Sequence, residues 1–150
     1  MNVASWIVGL SLIVLTITLH TTVVVMMAFG MESRIRARIE KHTLVPQKAI
    51  PAVIGSIGFV AVALALMHGL EGVLWASAYR SLGAFDSFAD ASVYSLGTMI
   101  TLDIPGLVLP SRLRMISALE AVNGVMLFGI STAFIFAVMQ SCISLLVRRR

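Results

Sequence analysis

Apolar side chains gather into three long stretches. The first runs from about Val3 to Gly30 without a charged residue, interrupted only by hydroxyls and His20. The second runs from about Ala49 to Tyr79 and holds His68 and Glu71. It opens on Pro51 in its first turn, where a missing N–H does no harm. The third runs from about Leu113 to Val147, with Glu120 and Asn123 as its polar interruptions. Each exceeds the roughly 20 residues that a hydrocarbon core of ~30 Å requires, so each predicts a membrane-spanning helix. At ~1.5 Å per residue the third must tilt, bend or protrude. The first is expected to be a retained helix rather than a signal peptide, since Met1–Ser5 has no lysine or arginine.

A different pattern separates the second and third stretches. Asp86 or Ser87 is placed to cap a short helix ending near Met99, because either side chain can satisfy free N–H groups at a helix start. About a dozen residues at that rise cannot cross a bilayer. Next comes the run from Ile100 to Pro110, with two prolines, a glycine and an aspartate, yet too apolar for an ordinary solvated loop. A short helix followed by irregular backbone between two full spans has the outline of a re-entrant loop. Such backbone persists at membrane depth only when buried in protein or facing a water-filled cavity.

Composition closes off other classes. Of 150 residues, 59% are hydrophobic and only 12% charged, which excludes a water-soluble domain and intrinsic disorder alike. One cysteine, Cys142, excludes a disulfide scaffold and reads as a core thiol. The formal charge of +4 raises nucleic acid as a partner, but the basic residues flank the spans. Arg34, Arg36, Arg38, Lys41 and Lys48 fall in one loop and Arg148, Arg149 and Arg150 end the chain, against Arg80, Arg112 and Arg114 around the re-entrant segment. The excess places that loop and the C-terminus in the cytoplasm, with the N-terminus and re-entrant loop outside, in a multi-pass protein of the cell (inner) membrane. Nucleic acid is not expected as a partner; the lipid bilayer is. No linker or repeat divides the chain, so one domain is expected. No nucleophile–base pair argues for an enzyme. Three helices and a loop cannot enclose a polar pore, so any pore requires several copies about an axis.

Particular residues carry the pattern further. The segment from Tyr94 to Gln140 includes Ser111-Arg112-Leu113-Arg114, Ala118-Leu119-Glu120-Ala121-Val122-Asn123-Gly124 and Phe128-Gly129-Ile130-Ser131-Thr132-Ala133. It resembles the small bacterial potassium-channel-like proteins of the two-transmembrane ion-channel family. The stretch His68-Gly69-Leu70-Glu71 through Trp75 and Tyr79 is similar to their pre-pore helix. The resemblance covers roughly residues 65–140. It implies an all-α membrane protein with three transmembrane helices, a re-entrant pore helix and a filter loop, assembled as a homotetramer that conducts cations. The layout is then an outer helix at 3–30, a cytoplasmic basic loop at 31–48, a pre-pore helix at 49–79, pore helix and filter at 86–110, and a pore-lining helix at 113–147.

The filter departs from that family. Its usual pattern is Thr-Thr-Leu-Gly-Tyr-Gly-Asp, then a short apolar run and proline. Here the positions hold Ile100-Thr101-Leu102-Asp103-Ile104-Pro105-Gly106, then Leu107-Val108-Leu109-Pro110, so Asp103 and Pro105 replace both glycines. A potassium filter aligns successive carbonyls on one axis in place of the hydration shell. That alignment needs backbone conformations open to glycine, whereas proline is locked near φ −65°. The run Thr101-Leu102-Asp103 instead resembles the Thr-Leu-Glu/Asp filters of bacterial sodium and calcium channels, which use a ring of carboxylates. Asp103 is therefore the expected cation ligand, with Thr101 beneath it. The competing reading makes Asp103 a turn residue bonded to backbone before Pro105. The permeant cation is left open among K⁺, Na⁺ and Ca²⁺, and no other cofactor is expected.

Glu71 and Glu120, at similar depths, are expected to brace the pore helix from behind through Ser95 or Thr98; roles on the ion path or in proton titration compete. Gly124 and Gly129 are candidates for a gating hinge, against close packing of helices. Asn123 reads as an interhelical hydrogen bonder. His20 and His68 are assigned to opposite halves of the membrane and so are not expected to share a metal or haem, while His42 reads as solvated. Rival readings are a non-conducting pore-like scaffold plugged by Ile104 and Pro105, a potassium channel with a divergent filter, and a proton-coupled transporter built on Glu71 or Glu120.

Overall fold

The computed structural model describes residues 3–40 and 46–147, and among them every regular element is helical. Helix α1 spans Val3–Glu40, α2 Pro46–Ser81, α3 Phe88–Met99 and α4 Arg114–Val147, the last preceded by a single 3-10 turn at Ser111–Leu113. Three of them are long and apolar enough to cross a membrane, over Ser5–Met31, Val53–Ser81 and Ser111–Ser144. Large apolar side chains stand exposed along all three, among them Val14, Leu19, Phe59, Leu66, Val122 and Val125. Helices apolar on their outer as well as their packed faces suit a lipid surrounding. The chain is an all-α membrane protein.

Two boundaries differ from expectation. Helix α1 continues to Glu40 and α2 begins at Pro46, so most of the expected loop at 31–48 is helical. The stretch Met31–Glu40 contains no proline or glycine and is rich in Arg and Glu, both good helix formers. The apolar run ends near Gly30, and the helix continues ten residues beyond it. His42, expected to be solvated, lies outside the described residues.

Helix α3 begins where predicted, with Ser87 rather than Asp86 as its cap. Ser87 has extended backbone and its Oγ accepts from the N–H groups of Ala89 and Asp90. Asp90 in the first turn complements the positive end of the helix dipole.

The chain packs as two compact units, and α1, α2 and α4 each contribute to both. One comprises residues 1–20 and 66–129. Its core gathers Trp75, Ala76, Tyr79, Ala91, Leu113 and Ile116, with Tyr79 and Tyr94 meeting edge to face at 5.3 Å. The 3-10 turn is fastened into this unit by its backbone and by its arginine. Ser5 Oγ donates to the Arg112 carbonyl at 3.2 Å, and the Arg112 guanidinium donates to the Leu82 carbonyl at 3.1 Å. The other unit comprises residues 21–65 and 130–150. Val60, Leu64, Val138 and Cys142 form its core, with Val24, Met27, Phe134 and Ile135 packed against them.

Candidate functional site

Helix α3 is fastened from behind by buried polar groups. Glu120, fully buried on α4, accepts from the Tyr79 hydroxyl at 2.6 Å and from Ser95 Oγ at 2.5 Å. Ser95 Oγ also lies 2.9 Å from the Gly72 carbonyl, so its single proton is shared between two acceptors and one α3 side chain bridges α2 and α4. Tyr94 and Ser117 hydroxyls meet at 2.8 Å. Glycines permit the close approach: a methyl at Gly124 would run into the Met99 backbone, and one at Gly72 would meet Leu96 at 2.6 Å. Gly124 is thus a packing position for the end of α3. At Gly129 an added methyl meets nothing within 4 Å. Asn123 Nδ2 donates to Thr16 Oγ1 at 2.9 Å, joining α4 to α1. Thr98, buried on α3, accepts the Thr101 N–H at its carbonyl.

The end of α3 turns sharply. Leu102 N–H bonds back to the Gly97 carbonyl at 2.8 Å and Thr101 N–H to that of Thr98 at 2.9 Å, which is the Schellman pattern of helix termination. Helix α2 ends on the same pattern, with Ala84 N–H reaching Tyr79 and Gly83 N–H reaching Arg80. There the left-handed position is Gly83, at φ 66°; at α3 it is Thr101, at φ 57°. A β-branched residue in that region is strained. Beyond Thr101, Leu107 N–H bonds to the Ile104 carbonyl at 3.2 Å, closing a turn with Pro105 second and Gly106, φ 87°, third. Proline then a positive-φ glycine is the type II signature. A methyl at Gly97 would meet Ile104 at 2.7 Å, so this turn folds back against α3.

Among the expected filter residues, Thr101, Leu102, Asp103, Pro105 and Gly106 are exposed and Ile104 is half-buried. Asp103 enters no hydrogen bond or ion pair among the described residues, so it does not act as a turn cap. Ile100 and Leu102, each 55% exposed, and Val108, 81% exposed, lie around it in sequence, while Leu109 returns to the core.

The largest departure from expectation concerns Glu71. It does not brace α3 through Ser95 or Thr98. Its Oε1 lies 2.8 Å from His20 Nδ1 on α1, and its Oε2 lies 3.1 Å from His68 Nδ1, one turn earlier on α2. His20 and Glu71 are fully buried and His68 is partly buried, its side chain 12% exposed. The two imidazoles stack at 5.2 Å, and His68 stacks on Phe128 of α4 at 4.3 Å. Placing His20 and His68 in opposite membrane halves was therefore wrong. Counted from the centres of Ser5–Met31 and Val53–Ser81, all three residues fall within about 6 Å of mid-span at helical rise. Counting from span centres, and the i, i+3 spacing of His68 and Glu71, were the signals available in the sequence.

Comparison with protein-family models, with curated proteins and with solved structures finds no match to this chain.

Proposed function

We propose that this chain is one subunit of a homotetrameric cation channel, with α3 as its pore helix and Thr101–Gly106 as its constriction. One observation carries the reading. A helix too short to cross the membrane is held by polar bonds to Gly72, Ser117 and Glu120, the last itself held by Tyr79, and releases into irregular backbone that leaves Asp103 exposed and unbonded. Rigid support behind and an unengaged carboxylate in front are what a selectivity site requires. One chain cannot surround an axis, and closed rotational symmetry supplies the missing walls. Four Asp103 carboxylates about that axis repel one another unless cations and water share the ring. Within the constriction the Ile104 carbonyl already accepts the Leu107 N–H of its own chain, which favours selection by carboxylates over a stack of carbonyls. Hard oxygen ligands suit Ca²⁺ or partly hydrated Na⁺.

The test is current across a planar bilayer holding the purified protein under K⁺, Na⁺ and Ca²⁺ gradients, beside Asp103→Asn. The expected result is cation current whose selectivity changes with the substitution. Strong K⁺ selectivity indifferent to Asp103 would favour a potassium channel with a divergent filter. Absence of current under every gradient and voltage would favour the non-conducting scaffold.

A further inference from the structure

The histidine pair and Glu71 take no part in the pore reading, and together they hold a donor set of their own. His20, His68 and Glu71 each offer one ligand atom, and these atoms lie within 4.8 Å of one another. The two N···O separations are 2.8 and 3.1 Å, each to a different oxygen of one carboxylate. In a tetrahedral sphere with metal–ligand bonds of 2.0–2.2 Å, adjacent ligand atoms stand about 3.3 Å apart. Whichever carboxylate oxygen ligates, its separation from the nearer imidazole nitrogen is thus within about half an ångström of what a metal would set. His68 is held between the His20 and Phe128 rings, so its imidazole is already oriented. Apolar surroundings at mid-span make a bare carboxylate costly, and a cation seated between the carboxylate and the imidazoles removes that cost.

We infer that His20, His68 and Glu71 form a buried binding site for one divalent transition-metal ion of the Zn²⁺ class, clasping α1 to α2 at mid-span. Two imidazole nitrogens and one carboxylate select Zn²⁺, Co²⁺, Ni²⁺ or Cu²⁺ over K⁺, Na⁺ or Ca²⁺. The site therefore differs in chemistry from a permeation site built on Asp103. A fourth position is left to water or another small ligand, as three-ligand zinc sites leave it. A proton shared between carboxylate and imidazole is the competing occupant.

The test uses tag-free protein carrying His42→Ala, in which His20 and His68 are the remaining histidines. After chelator treatment it is titrated with Co²⁺, then Zn²⁺. One Co²⁺ per chain with the visible absorption of a four-coordinate ion, displaced by Zn²⁺, is expected. X-ray absorption of the Zn²⁺ form should show two imidazole rings in the inner sphere. His20→Ala and Glu71→Gln, each checked for helical circular dichroism, should weaken binding at least about a hundredfold, beyond the loss typical of outer-shell partners. Sub-stoichiometric binding, a six-coordinate all-oxygen spectrum, or equal binding by the substituted proteins would overturn the site. If a substituted chain fails to fold, the ring count in His42→Ala protein decides alone, fewer than two rings overturning the proposal. Metal content is read without current, so failure here leaves the channel reading standing, and the reverse holds too.

Discussion

Thr101 holds a backbone conformation that glycine holds at the matching position of α2. Relief of left-handed strain, partly offset by glycine's larger unfolded-state entropy, should make Thr101→Gly more stable by about 1 kcal/mol, read as the midpoint of denaturant unfolding in detergent. A less stable variant would mean that the Thr101 side chain contributes more than its strain costs. The two mid-helix glycines of α4 should behave oppositely. Gly124→Ala meets the Met99 backbone, which cannot yield as a flexible side chain would, and should cost about 1–3 kcal/mol. Gly129→Ala meets open space and should gain a few tenths of a kcal/mol from helix propensity, or up to about 1 kcal/mol. If both are tolerated alike, the close approach at Gly124 is relaxed in the assembled protein. The sequence marked both glycines as mid-helix but did not separate them, because spacing along one helix carries no information about which backbone crosses it.

At the scale of elements, Ser95 ties α3 to both α2 and α4. Ser95→Ala removes the bridge to Gly72 and Glu120 together and leaves a buried carboxylate short of one donor. A loss of about 1–3 kcal/mol is expected, with amide exchange in α3 accelerating ahead of exchange in the middle of α4. Uniform acceleration would show that α3 does not open separately. The existence and length of α3 were legible, since Ser87 marks its start and the prolines mark the region beyond it. The extension of α1 to Glu40 was not, because charged residues with good helix propensity continue a helix after hydropathy has ended. Glu120 and Ser95 share a site as their common depth suggested. Glu71 was misassigned because depth says how far along a helix a residue lies and nothing about the side it faces; His20 lies on the side that Glu71 faces.

For the molecule as a whole, Ile100, Leu102 and Val108 expose apolar surface beside Asp103, which neighbouring copies would cover in the proposed tetramer. Native mass spectrometry from mild detergent should give four chains per particle, and Leu102→Lys should shift the population toward smaller species. A single chain at every protein concentration would remove the basis for any pore. The three spans were legible because bilayer thickness fixes their length. The polar bonds that choose their neighbours were not, since each joins residues far apart in the chain. That separation has a bearing on biogenesis. His20 and Glu71 are 51 positions apart, and both are made before α3 and α4 exist. Glu120, by contrast, must wait for the last third of the chain to join Tyr79 and Ser95. An acid entering the bilayer alone is the costliest residue in α2, and its partner is already there when it arrives. Synthesis in this order closes the α1–α2 pair first and gives the later helices a finished surface to dock on.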